Sequence, residues 1–410
     1  MEQEQFITTY IKKGTREYLK LNIALFLGGF TVFAVLYSVQ PLIDPFMETF
    51  QISETKASLA LSVSTLTLAF SLLFYGAISE TIGRRNILLA VSILVTLFSF
   101  AQPFVQNFDQ LLVLRAILGL LLGGLPAVAV AFISEEVHPA QIVQSIGLFI
   151  AGNGFGAAIG RMSSAFFTSY FGWQMALFIL SCIGLIATIL FVVLLPPARH
   201  FKPQPFQFKP VLTAYKVHLQ NRQLIPLFMP GFILLASNVA LFNFMSIHLM
   251  ESPYSWSQQI TGFIYATFLI GSISPFFISH LIDRIGEFWS KRFAILLFVV
   301  GVLLTLIPIA LLKVLGITFS IIAFFIGHSI ASSAVGRLAS HHKSQASALY
   351  SLFYYVGSSI GGVLASYSWT FGGWFGVAVF VISMLIGAYM LTYTMQEKRM
   401  EQNELLKTEQ

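Results

Sequence analysis

The chain has a single cysteine, Cys182, among its 410 residues, and only 10% of its residues are charged. One cysteine excludes an intramolecular disulfide framework and any cysteine-based metal cluster. Soluble domains are about one quarter charged, so this composition excludes a water-soluble fold. The sequence contains no Gly-x-x-x-x-Gly-Lys-Ser/Thr loop to cradle nucleotide phosphates and no His-Glu-x-x-His metal pair. No stretch outside the apolar runs is long enough for an ATPase domain. The chain is therefore not expected to be an enzyme or to hold a metal or cofactor, and any energy must come from an ion gradient. A cleavable signal peptide is not expected either, because residues 1–20 are polar and the apolar run after them is of full spanning length.

Hydrophobic residues make up 56% of the chain, including 41 Phe, and the mean hydropathy is +0.80. The lipid bilayer is the expected surrounding. Apolar runs bounded by charge or turn residues predict twelve spans, at 20–41, 58–78, 87–106, 111–134, 142–168, 173–195, 224–249, 259–281, 293–312, 314–336, 345–367 and 374–395. Each run is continuously apolar, without strand alternation, so the expected fold class is all-α: a helical membrane protein and not a barrel. The net charge of +6 could suggest nucleic acid, but basic side chains follow the topology instead. With both termini inside, 19 of the 23 Lys and Arg fall on inner segments; Lys56 and Lys313 lie outside, and Arg115 and Arg161 lie within spans. A multi-pass protein with cytoplasmic termini and no nucleic-acid partner is expected.

One short charged turn organises the rest. Gly76-Ala-Ile-Ser-Glu-Thr-Ile-Gly-Arg-Arg85 separates the second and third spans, and Ser279-His-Leu-Ile-Asp-Arg-Ile-Gly286 separates the eighth and ninth. Gly83 and Gly286 are 203 positions apart, and Gln144, Gly156, Gly160 and Trp173 recur as Gln345, Gly357, Gly361 and Trp374 at an offset of 201. The expected organisation is an inner segment (1–19), a six-helix bundle (20–195), a proline-rich inner linker (196–223) with an interfacial helix around Val211–Gln223, a second six-helix bundle (224–395) and a tail (396–410). Parallel repeats of this kind place a site between them near the bilayer midplane.

Gly76, Ile78, Glu80, Gly83, Arg84 and Arg85 resemble the signature loop Gly-x-Leu-Ala-Asp-Arg-x-Gly-Arg-Lys of the major facilitator superfamily, with Glu80 in the Asp position and Thr81 in place of the first Arg. The resemblance covers essentially all of 20–395. Tyr37-Ser-Val-Gln-Pro-Leu-Ile43 and Phe324-Phe-Ile-Gly-His-Ser-Ile-Ala-Ser332 are similar to its bacterial arabinose-efflux-permease-like branch. Leu111-x-x-x-Arg115-x-x-x-Gly119 resembles the fourth-helix motif whose arginine is associated with proton coupling. Gly147, Gly156 and Gly160 have the spacing of the antiporter motif, with Arg161 in place of the usual proline, and Glu287 replaces a basic residue in the second loop. The resemblance implies two pseudo-symmetric six-helix bundles in a bacterial cell membrane.

The loops carry the expected conformational latch. Glu80 would accept from amides at the start of the eleventh span, Arg84 and Arg85 would pair with Glu135 or Glu136, and Asp283 and Arg284 would serve the other half beside Gly286. Arg115 and Arg161 are costly in lipid unless paired or wet, and Asp44 and Asp109 are the carboxylates at their level. These two pairs would serve proton coupling, anionic-substrate binding or structural pairing. His328, midway through the tenth span, is a candidate proton carrier or a packing histidine. Tyr37, Gln40, Asn153 and Asn238 are candidate cavity residues, as are Asn243, Tyr265, Tyr350 and Tyr354; aromatic walls with a few amides suit small organic solutes. The glycines of the fifth span are expected to permit close helix approach.

The expected function is proton-driven efflux (antiport) of a small organic compound such as a sugar, drug or metabolite, by alternating access, in a monomer. Proton symport or facilitated uptake is the alternative within transport. A lipid flippase and a non-transporting membrane sensor are the alternatives outside it.

Overall fold

In a computed structural model, the structure describes residues 10–201, 203, 205, 208–220, 225–274, 278–338 and 343–408. They are almost wholly helical, with one isolated parallel bridge between Ile11 and Val137 and no strand among the described residues. The helices in order are α1 (Arg16–Tyr37), α2 (Ile43–Phe50), α3 (Glu54–Ile82), α4 (Arg84–Ser99), α5 (Phe108–Leu122), α6 (Gly124–Glu136), α7 (Ile142–Leu194), α8 (Phe208–Gln220), α9 (Ile225–Met250), α10 (Gln258–Gly262), α11 (Thr267–Ile273), α12 (Ile278–Leu306), α13 (Ala310–Leu338) and α14 (Lys343–Thr408).

Among the described residues, nine helical stretches are long and apolar enough to cross a bilayer. Two of these hold two expected spans each. Helical geometry breaks at Gly172 (φ 79°, ψ 164°) in α7, between the fifth and sixth spans. It breaks again at Gly373 (φ 53°, ψ −144°) in α14, between the eleventh and twelfth. The eighth expected span is not one helix but the pieces α10, a tight turn Phe263–Ala266, α11 and the start of α12.

Boundaries shift where proline removes a backbone donor. The expected first span, 20–41, ends its α-helix at Tyr37; Pro41 then opens a tight turn at Gln40–Leu42 before α2. The expected ninth span, 293–312, is cut at Ile307–Ile309 around Pro308, so α12 ends at Leu306 and α13 begins at Ala310. The linker is helical from Phe208, ahead of the expected start at Val211, through Gln220; residues 221–223 of the expected helix lie outside the described residues. Within it Tyr215 and His218 are buried while Lys216, Val217 and Leu219 face outward, and burial pushes the Tyr215 phenol up to about 12.

The chain forms two compact units: Met1–Leu212 with Trp256–Leu269, and Thr213–Ser255 with Ile270–Gln410. In the first, α1 lies against the first half of α7, with Gly156 facing the backbone of Phe30 and Gly160 within 2.6 Å (as an added Cβ) of the Ala34 backbone. In the second, α9 lies against the first half of α14, with Gly357 facing the backbone of Phe232 and Gly361 within 2.5 Å of the Ala236 backbone on the same measure. A side chain at any of these four glycines would collide with main chain, which is why the repeat keeps them at the same spacing in both units.

Candidate functional site

The charged turn is built by its glycine. Gly83 closes α3 and opens α4 at φ 106°, and Gly286 bends α12 in the matching loop at φ 79°; both conformations disfavour a residue with a Cβ. The turn aims Arg84 back across the first unit. Its Nε donates to Glu135 Oε1 at 2.6 Å and its Nη1 to Ser79 Oγ at 3.0 Å, while Glu80 lies 3.8 Å from Nη2. Gly76 opens the turn with open space where a Cβ would stand.

Two expected pairings in this loop are replaced. Arg85 does not meet Glu135 or Glu136; its Nε and Nη2 donate to the carbonyls of Pro196 (2.9 Å) and Leu195 (3.2 Å). The end of α7 lies within reach of the long guanidinium and offers the free carbonyls of a helix C-terminus, which suit a cation. Glu136, one residue on from Glu135, points to another face of α6 and accepts from Arg199 and His200. In the second loop Arg284 is exposed and Glu287 pairs with Lys291 at 2.7 Å; the side chain of Asp283 lies outside the described residues. The amides expected to meet Glu80, at the start of the eleventh span, adjoin residues 339–342, which also lie outside them.

Arg115 is completely buried, yet no carboxylate pairs with it among the described residues. Its guanidinium donates to the carbonyls of Val35 (3.0 Å), Leu36 (2.7 Å) and Ala60 (3.0 Å), with Gln102 Oε1 at 3.5 Å. Val35 and Leu36 belong to the last turn of α1, whose carbonyls have no helical partner, so the cation caps a helix C-terminus from inside the bundle. The expected partner Asp109 is instead exposed and pairs with Lys56 at 3.0 Å. A small, mainly apolar crevice that includes Thr31, Ser38, Ser99, Gln102, Ser163 and Ser181 lies beside this cluster.

Arg161, 1% exposed, gathers three of the candidate cavity residues around itself. Nε donates to Gln40 Oε1 at 2.6 Å and Nη1 to the Ala157 carbonyl at 2.6 Å. The guanidinium carbon stands 3.7 Å from the Tyr37 ring centre, 4.3 Å from Phe268 and 5.7 Å from Tyr265. Aromatic faces stabilise a desolvated cation by about 2 kcal/mol, which makes a buried arginine tolerable here. Asp44 is half-buried in the first turn of α2.

In the second unit His328 Nδ1 lies 2.9 Å from the Tyr350 hydroxyl. The imidazole stacks on Phe324 (6.1 Å, 8°) and packs at 4.5 Å from Tyr354, with Tyr350 itself buried. Gly231 on α9 makes room for the Tyr350 ring, whose Cε2 lies 2.7 Å from where a Cβ would be. Asn238 is buried on α9 with its Nδ2 unpaired among the described residues, as are the Oγ atoms of Ser237 and Ser358; Asn243 is buried lower on the same helix. In the first unit the Oδ1 of Asn153 is likewise buried without a partner, beside Gly29.

Several contributors are not among the sequence candidates. Phe268 lies one helical turn beyond Tyr265, so the spacing could have flagged it. Gln102 and His200 carry no such signal, since a lone amide and a lone imidazole outside any motif look like ordinary solvated residues.

The model of the Major Facilitator Superfamily matches residues 25–362. The chain is 41% identical over 386 residues to the MFS-type transporter YybF of Bacillus subtilis, covering 94% of this chain and 95% of the relative. It is 36% identical over 387 residues to the inner membrane transport protein YnfM of Escherichia coli, covering 93% and 92%. Its fold is similar to the crystal structure of the nucleoside transporter NupG (D323A mutant), with a TM-score of 0.72 at 16% identity over 91% of this chain and 99% of that one.

Proposed function

Because the chain belongs to the major facilitator superfamily, we propose that this membrane transporter is a proton-coupled exporter of a small organic compound, working by alternating access of two six-helix halves. The observation that carries the reading is the bond between His328 and Tyr350 inside the wall formed with Phe324 and Tyr354. A titratable ring set in an aromatic surface answers to two ligands at once. Protonation changes what Nδ1 can offer to Tyr350, and cargo lying against Tyr350 and Tyr354 changes the surroundings of the same ring. Two ligands that oppose one another at one side chain exchange across a membrane, which is antiport.

Arg161, wrapped by Tyr37, Gln40 and Tyr265, is the proposed cargo contact in the first half. A flat compound with an electron-rich edge fits a guanidinium already adapted to aromatic faces. Arg84 and Glu135 act as the latch, with Glu80 and Arg85 beside them, and Arg284 is the proposed counterpart in the second half. The proposed setting is a bacterial plasma membrane with both termini cytoplasmic, and the proposed working unit is a monomer.

The test is purified protein in proteoliposomes with an imposed pH gradient and a panel of sugars, drugs and metabolites. A cargo that dissipates the gradient with wild-type protein, and does so with an altered pH profile in His328→Gln, supports the reading. A gradient untouched by every compound argues against proton exchange, and an unchanged pH profile removes His328 from the mechanism.

A further inference from the structure

Glu136 takes no part in the Arg84 latch, yet its side chain is 0% exposed. A buried carboxylate is tolerated only when its oxygens are fully occupied by good donors. Here they are: Oε1 accepts from the backbone amides of Arg199 (2.8 Å) and His200 (3.0 Å), and Oε2 lies 3.1 Å from His200 Nδ1. Those donors belong to the segment that leaves α7 toward the second unit. The same segment is gripped again just upstream, where Arg85 holds the carbonyls of Leu195 and Pro196.

The segment before α1 joins the same knot. Ile11 runs parallel to Val137, its amide donating to the Glu136 carbonyl at 2.9 Å and its carbonyl accepting from the His138 amide at 3.1 Å. The Tyr10 ring stacks on His200 at 4.6 Å and 15°. Arg199 Nη2 reaches Glu17 Oε1 at 2.5 Å. Stretches far apart in sequence therefore converge around Glu136: the head of the linker on its carboxylate, and the N-terminal segment on its main-chain carbonyl and on the clasped Arg199 and His200.

We propose that Glu136 is a positioning residue that clasps the N-terminal segment and the head of the linker to the loop end of the first unit. The clasped part of the linker then reaches His200 rather than ending at Pro196. With each residue able to span at most about 3.5 Å, the clasp removes roughly 17 Å of slack from the linker. On the transport reading above, this slack limits how far the linker pays out as the halves alternate. The clasp uses none of the residues assigned above to cargo or coupling.

Trypsin reads the clasp directly on the full-length protein in detergent. Lys202 and Lys209 each precede proline and resist trypsin, so Arg199–His200 is a cleavable bond isolated at the head of the linker. Glu136→Ala is expected to speed cleavage after Arg199 on the order of tenfold, because all three bonds from the carboxylate to that segment are lost. His200→Ala, which keeps its amide, is expected to give a smaller rise, about threefold. Glu135→Ala, which removes the adjacent carboxylate of the latch, leaves the rate unchanged. Glu136→Gln, which keeps an oxygen for the two amides, falls between wild type and alanine and carries the test if the alanine variant is not recovered folded. Cleavage after Arg199 at the wild-type rate in Glu136→Ala or Glu136→Gln, or an equal rise in Glu135→Ala, overturns the proposal. A chain that failed to transport would leave this cleavage pattern intact, so the two readings fail separately.

Discussion

Arg84 and Glu135 meet side chain to side chain at 2.6 Å, 51 positions apart in sequence, at the end of the first unit where α3 turns into α4. Arg84 is largely covered and Glu135 about one-third exposed, so the pair is only partly shielded from solvent. Partly exposed pairs of this kind are worth about 1 kcal/mol, enough to bias a two-state equilibrium about fivefold without deciding whether the fold forms.

Arg84→Ala and Glu135→Gln should therefore change transport rate about fivefold while lowering the melting temperature by only a few degrees. Transport of the cargo found in the gradient screen, measured beside thermal unfolding in detergent, separates the two effects. An unchanged rate in both variants would remove the latch.

Gly156→Val and Gly357→Val should each destabilise the protein by about 1–3 kcal/mol, because the new side chain would strike the backbone at Phe30 or Phe232. Gly147→Ala is the control, since nothing lies within 4 Å of its Cβ position. Melting temperatures of the three variants give the comparison.

Arg115→Lys should fail to substitute. An ammonium cannot reach the carbonyls of Val35, Leu36 and Ala60 together, whereas the planar fork does. Loss of about 3 kcal/mol is expected, with Arg115→Met similar or worse because the end of α1 loses its cap. Thermal unfolding and expression level read this. A fully stable, inactive Arg115→Lys would instead point to coupling.

Tyr215 supplies a pH prediction outside the membrane spans. Its phenol is raised from the usual 10.0 to about 12 by burial, so the folded chain holds this proton more tightly than the unfolded one. The associated stability is intact below pH 10 and is lost as pH rises from about 10 to 12. Phenolate absorbance near pH 12 should rise by one tyrosine less in Tyr215→Phe than in wild type.

Much of this was legible from residue order alone. Lengths of apolar runs mark the spans, and the offset of 201 between Gly156 and Gly357 anticipates that the two units use glycine in the same way at the same helix contact. Arg84 finding Glu135 was also readable, since both are charges at the ends of neighbouring spans. Partner choice inside the bundles was less so. Arg115 had two carboxylates at its level in sequence, but the nearest free acceptors are main-chain carbonyls, and main chain carries no sequence signal. Pro308 was visible, yet its effect on the ninth span depends on where the chain can afford to lose a donor, which packing decides.

The glycine contacts have a bearing on descent. In each unit two glycines of the repeat, Gly156 and Gly160 in one and Gly357 and Gly361 in the other, approach the main chain of the facing helix. Aromatic and amide residues elsewhere can then be exchanged during evolution without disturbing how either bundle is assembled. A lineage built on such a frame can acquire new cargoes by changing a handful of wall residues while its architecture stays fixed.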